Sequence, residues 1–193
     1  RSALAARGKS GFAELGAGAR VAVPSERDAA FLDAARSGLA TSVVAEGPDT
    51  LLNALTSGEY DALVLPALAL TTLDLRSAID RLLEPNEFTP APGQGAIGLV
   101  VREDDDLAFE TAYSLQHRPS FDRVRAERAF AAGLEGRHVG ALATVSDDGE
   151  LELFGAVVEN GTTVQVSTSG EAREAEELGR ELAQDVLAQL KVL

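Results

Sequence analysis

The chain of 193 residues has no cysteine, no methionine and no tryptophan, and it has only two histidines. Without cysteine there is no disulfide, no thiolate metal site and no thiol nucleophile. Two histidines are too few for an ordinary zinc site, so no metal is expected. No apolar run approaches the roughly 18–20 residues that span a bilayer, and the first residues do not follow the signal-peptide pattern. A cytoplasmic location is expected. A first residue other than methionine fits a fragment, a processed product or a trimmed chain.

Lysine is nearly absent: Lys9 and Lys191 are the only two. Against 17 Lys and Arg stand 31 Asp and Glu, for a formal charge of −14. Such a surface repels nucleic-acid phosphates and anionic membranes, so neither is an expected partner. Abundant Ala, Arg and acids fit a salty cytoplasm, where screening relieves self-repulsion, and fit a high-GC genome equally. Hydrophobic residues make up 45% and charged residues 25%, the composition of a folded protein.

The first half alternates between strand and helix patterns. Residues 20–24 form an apolar run, and Ser25 is placed to cap a helix that ends near Gly38. Residues 41–45 are a second strand. Asp49 is the expected cap of a short helix that Gly58 ends. Residues 61–65 are continuously apolar, as in a strand buried on both faces, and Leu73 to Leu83 reads as a further helix. This order predicts a parallel α/β sheet. Residues 84–95 hold three of the seven prolines and read as a connector or hinge. Gly93-Gln94-Gly95 leads into a strand rather than a helix, so a hinge accounts for it better than a phosphate loop. Ala96–Val101 is expected to be an apolar strand, and Asp104–Asp106 an acidic helix start.

The second half reads as an α+β unit. A helix from about Ser120 to Leu134 precedes three strands, divided by Asp148-Gly149 and Asn160-Gly161, strong hairpin signals. A final helix places Ala175, Leu178, Leu182, Val186 and Leu190 on one face. The expected architecture is a parallel α/β domain over 1–100 and a small α+β domain over 101–193. The latter has a three-stranded antiparallel sheet with helices on one side.

Three stretches resemble one family: Gly58-Glu-Tyr-Asp-Ala-Leu-Val-Leu, Thr89-Pro-Ala-Pro-Gly-Gln-Gly-Ala-Ile-Gly and Val124-Arg-Ala-Glu-Arg-Ala-Phe-Ala-Ala-Gly-Leu-Glu-Gly. They occur in the order and spacing of porphobilinogen deaminase, also called hydroxymethylbilane synthase. The resemblance implies a cytoplasmic transferase of tetrapyrrole and heme synthesis that joins four porphobilinogen units and releases ammonia. It implies two α/β domains like the halves of periplasmic binding proteins, with the active site between them, and a third α+β domain. This chain matches the second and third domains. The family's catalytic Asp lies in the first domain, which apart from a returning strand at Ala96–Val101 is not matched.

Position by position, the resemblance also implies losses. The family's Ser-Ser-Leu-Arg-Arg corresponds to Pro24-Ser25-Glu26-Arg27-Asp28, and its Arg-Gly-Asn-x-x-Thr-Arg to Ala45-Glu46-Gly47-Pro48-Asp49-Thr50-Leu51. A further family Arg aligns with Ala78. The Cys that carries the dipyrromethane cofactor falls at or beside His138. Ser25, Arg27 and Thr50 are therefore the remnant substrate-binding positions, no catalytic residue is assigned, and no cofactor is expected. Simpler roles compete at each position. Ser25 is explained as an N-cap, His117 as a surface residue and His138 as structural. Arg123, Arg125 and Arg128 are expected to pair with Asp122, Glu127 and Glu135 on a solvated face. The expected protein is deaminase-like and unable to complete the reaction alone. It is either half of a split enzyme or a non-catalytic binding or regulatory subunit. The strand Ala96–Val101 is expected to pair with a second copy or with a chain supplying the first domain.

Overall fold

A computed structural model describes residues 1–8 and 11–191. Its first sheet has five strands: β1 (Ser2–Ala5), β2 (Arg20–Val23), β3 (Ala40–Val43), β4 (Ala62–Pro66) and β5 (Arg81–Leu82). The order is β3-β2-β4-β1-β5. β2 runs parallel to β3 and β4, whereas β1 is antiparallel to β4 and β5. The sheet is thus mixed rather than wholly parallel. β1 escapes the sequence pattern because Ser-Ala-Leu-Ala has no β-branched residue, yet all four residues are buried. Small side chains suit a central strand crowded on both faces.

Helix α1 (Glu26–Ala35) follows β2, and Ser25 caps it by accepting the Asp28 amide. Helix α2 (Pro48–Ser57) follows β3. Its N-cap is Gly47 rather than Asp49, with Pro48 in the first turn, where a missing N–H costs nothing. Gly58 closes it at φ 80°, a left-handed conformation that glycine adopts freely.

The helix expected over residues 73–83 does not form. Helix α3 (Ala67–Thr72) ends earlier, Asp74 takes φ 60°, and a 3-10 turn at Arg76–Ala78 leads into β5. Edge pairing wins over helix here, because the Asp80 and Leu83 amides donate to the Leu4 and Ser2 carbonyls. Leu83 becomes buried while Leu73 and Leu82 stay outside.

The strand expected at Ala96–Val101 is also absent. Those residues form no ladder, and Ile97 and Val100 are 88% and 97% exposed. The place beside β4 is already filled by β1, whose other edge is covered by β5. Helix α4 (Asp106–Ser114) follows, capped by Asp105, which accepts the Ala108 amide at 2.9 Å.

The second half follows the expected pattern with longer strands. Helix α5 (Arg118–Ala132) precedes β6 (His138–Val145), β7 (Glu150–Glu159) and β8 (Thr162–Glu171), and α6 (Ala175–Leu190) closes the fold. Strand order is β6-β7-β8, antiparallel throughout. The turn glycines Gly149 and Gly161 have φ 87° and 74°. One face of this sheet packs on α5 and α6 around Phe130, Leu134, Leu153 and Leu182. The other face is not open to solvent, as one-sided helices would leave it. Ala156 and Val158 of β7 join Phe12, Phe31, Phe88 and Leu4 in the core of the first half. The two sheets therefore share apolar contacts through α1 and the connector.

Candidate functional site

In a sheet of this kind, ligands are held beyond the carboxyl ends of parallel strands, where connections diverge. β2 connects leftward to β3 through α1, while β4 leads away toward β5, so the divergence lies between β2 and β4. The turn at Ser25–Arg27 stands there, and Thr50 stands at the neighbouring turn on α2.

Ser25 and Arg27 meet in one network with Asp28, a residue not singled out as a site member from sequence. The Ser25 hydroxyl donates to Asp28 Oδ2 at 2.6 Å and accepts the Asp28 amide at 3.1 Å. Arg27 Nη1 donates to Asp28 Oδ1 at 2.6 Å. Its Nε donates to the Val139 carbonyl at 2.9 Å, and its Nη2 donates to the Thr89 carbonyl. The guanidinium lies 4.0 Å from the Phe31 ring centroid and 5.7 Å from that of Phe88. Burial presses the Arg27 pKa downward, and the Asp28 charge and hydrogen bond oppose it.

His138 is the first residue of β6 and is exposed. Through Val139, the Leu134–His138 loop stands beside the N-terminus of α1, so the structure brings Ser25, Arg27 and this loop together. Thr50 is exposed in the first turn of α2, and no contact ties it to that network. Leu51 is 3% exposed and packs with Leu55, Leu63 and Leu70.

Glu127 departs from the solvated-face expectation. It is 6% exposed, and its carboxylate accepts the Gly93 amide at 2.6 Å and the Ala143 amide at 2.8 Å. Asp122 is likewise buried: its Oδ2 accepts from Arg118 Nε at 2.7 Å and its Oδ1 pairs with Arg125 Nη1 at 3.8 Å, as expected, while Arg125 Nη2 also donates to Glu176 at 3.0 Å. Gly93 takes φ 76° and Gly95 φ 86°, so Gly93-Gln94-Gly95 is a tight turn anchored by Glu127. His117 caps α5, its ring nitrogen accepting the Ser120 amide. Among the described residues no cluster of three or more His, Asp or Glu could hold a metal ion. No helix among them is long and apolar enough to cross a membrane.

Burial raises the Glu127 pKa, against the two amides and Arg123. A carboxyl that holds its proton more readily when folded favours the fold at low pH. That contribution fades as pH rises through the folded pKa. Urea unfolding of the parent and Glu127→Gln should therefore diverge in the parent's favour as pH falls from about 7 to about 5. A difference that stays constant would contradict the shift.

The family model described as "Porphobilinogen deaminase, dipyromethane cofactor binding domain" matches residues 1–110, and that described as "Porphobilinogen deaminase, C-terminal domain" matches residues 121–188. The porphobilinogen deaminase of Thermus thermophilus is 48% identical over 181 residues, covering 91% of this chain and 60% of the relative. That of Deinococcus radiodurans is 40% identical over 193 residues, covering 97% and 62%. That of Roseiflexus castenholzii is 39% identical over 191 residues, covering 97% and 63%. The chain thus spans 60–63% of the length of these relatives. With two family models in tandem on the two halves of the fold, the chain belongs to the porphobilinogen deaminase family.

Proposed function

We propose that this chain serves tetrapyrrole synthesis as a deaminase-type scaffold that does not polymerise porphobilinogen on its own. What supports this reading is the loop Leu134-Glu135-Gly136-Arg137-His138, which by resemblance corresponds to the family's cofactor-bearing segment and has no thiol. A thioether needs a thiolate. An exposed imidazole at His138 does not supply one, so these residues do not fit a covalently held dipyrromethane. The arginines that would bind acetate and propionate groups are replaced too. Leu51 packs in the core, and Glu46 and Asp49 add negative charge where bidentate guanidinium would suit carboxylates. Thr50 is the remnant position left open to solvent. Porphobilinogen consumption and ammonia release by the purified chain should both stay at background. Turnover by the chain alone would overturn the reading.

The surface supports a partner. Ile97, Leu99 and Val100 are exposed, and Leu99 and Val100 line one groove with Leu107 of α4 and with Leu115, which are 75% and 70% exposed; Phe109 and Tyr113 of α4 are exposed as well. Phe109 and Tyr113 stack with ring centroids 6.2 Å apart. Contiguous apolar surface of this kind marks an interaction site. What covers it is either a deaminase domain outside these 193 residues or a second copy. Light scattering at micromolar concentration should show a self-association or a complex that Ile97→Lys weakens. A monodisperse monomer that binds no such domain, unchanged by Ile97→Lys, would remove the partner from the account.

A further inference from the structure

We infer that Arg27 is a positioning residue, a bolt that holds the three-stranded sheet and the connector against α1 and thereby closes that helix end to carboxylate ligands. The proposal is separate from the thiol argument above and stands on different atoms.

Three segments converge on one guanidinium. Nε reaches the Val139 carbonyl on β6, Nη2 the Thr89 carbonyl in the connector and Nη1 the Asp28 carboxylate on α1 itself. The Arg27 and Asp28 side chains are only 13% and 11% exposed. A carboxylate ligand binds arginine best as a bidentate pair on two parallel N–H groups. Here all three nitrogens already donate, and the flat face is covered by Phe31. Such a ligand is left only the second N–H of Nη1 and of Nη2, on a side chain that is 13% exposed and already paired with Asp28.

The surroundings are shaped for this occupancy. A Cβ on Gly140 would stand 2.6 Å from Arg27 Nη2 and 2.7 Å from Thr89 Cβ, so only glycine leaves the space. The Ala141 amide donates to the Pro90 carbonyl at 2.9 Å, which lays the connector along the edge of β6. Arg27 bonds to both sides of that seam. Asp28 supplies the counter-charge that lets Arg27 be buried.

Hydrogen exchange read by mass spectrometry tests the bolt. In Arg27→Gln, exchange should rise about tenfold or more in segments 86–93 and 138–142, with β1 and β4 protected as in the parent. Arg27→Lys should restore only part of the protection, because an ammonium cannot span three acceptors. Gly140→Ala should reproduce the pattern with Arg27 intact, which covers the case where Arg27→Gln does not fold. Millimolar porphobilinogen added to the parent should leave exchange at 25–28 unchanged. Unchanged exchange in Arg27→Gln and Gly140→Ala would overturn the proposal. So would Arg27-dependent protection of residues 25–28 by porphobilinogen.

Discussion

Replacing Phe130 with alanine should lower the unfolding free energy by about 3–5 kcal/mol, the range for truncating a buried aromatic. Phe130 is fully buried on α5, between β7 and α6. Beneath its ring lies Gly155, where a Cβ would come within 2.5 Å of the ring. Beside it the helices cross closely: a Cβ on Gly179 of α6 would stand 2.4 Å from the Ala126 carbonyl and 2.9 Å from the Phe130 amide. Backbone already at contact distance cannot move inward to fill the space, so the cavity persists and the loss falls toward the upper end. Urea denaturation followed by circular dichroism measures it. Phe121 on the same helix is 43% exposed, and its truncation should cost under about 1 kcal/mol. Equal losses at the two positions would contradict the packing described.

Asp28→Arg should cost about 3–5 kcal/mol, as removal of one partner from a buried ion pair does. The substitution takes away the carboxylate that accepts from both Ser25 and Arg27. It also sets a second guanidinium beside one that burial already disfavours. Asp28→Asn keeps one of the two acceptor oxygens and adds no second cation, so it should be the milder change. If Asp28→Arg proves as stable as the parent, the Ser25–Asp28–Arg27 network does not hold this part of the fold.

Features that depend on neighbouring residues were readable from sequence. The Asp148-Gly149 and Asn160-Gly161 turns, the Ser25 cap and the apolar face of α6 lie within a few residues of the groups they organise. β1 and β5 were not readable. Ser-Ala-Leu-Ala carries little β propensity, and Arg81–Leu82 becomes a strand only because β1 offers an edge. The helix expected over 73–83 was a reading of apolar spacing that Asp74 and this edge override. The site shows the same division. Ser25 could be placed as a cap, but the partners of Arg27 lie 62 and 112 residues away. Glu127 looked like one of several charges on a solvated helix, and only tertiary packing sets its oxygens on the Gly93 and Ala143 amides.

Intact mass spectrometry, after production alongside a porphobilinogen-making pathway, addresses the central claim most directly. That claim is a deaminase-family fold whose Leu134–His138 loop holds no dipyrromethane. The account predicts the mass of the polypeptide alone, before and after further incubation with porphobilinogen. A stable increment equal to two pyrrole units, retained under denaturing conditions, would contradict it.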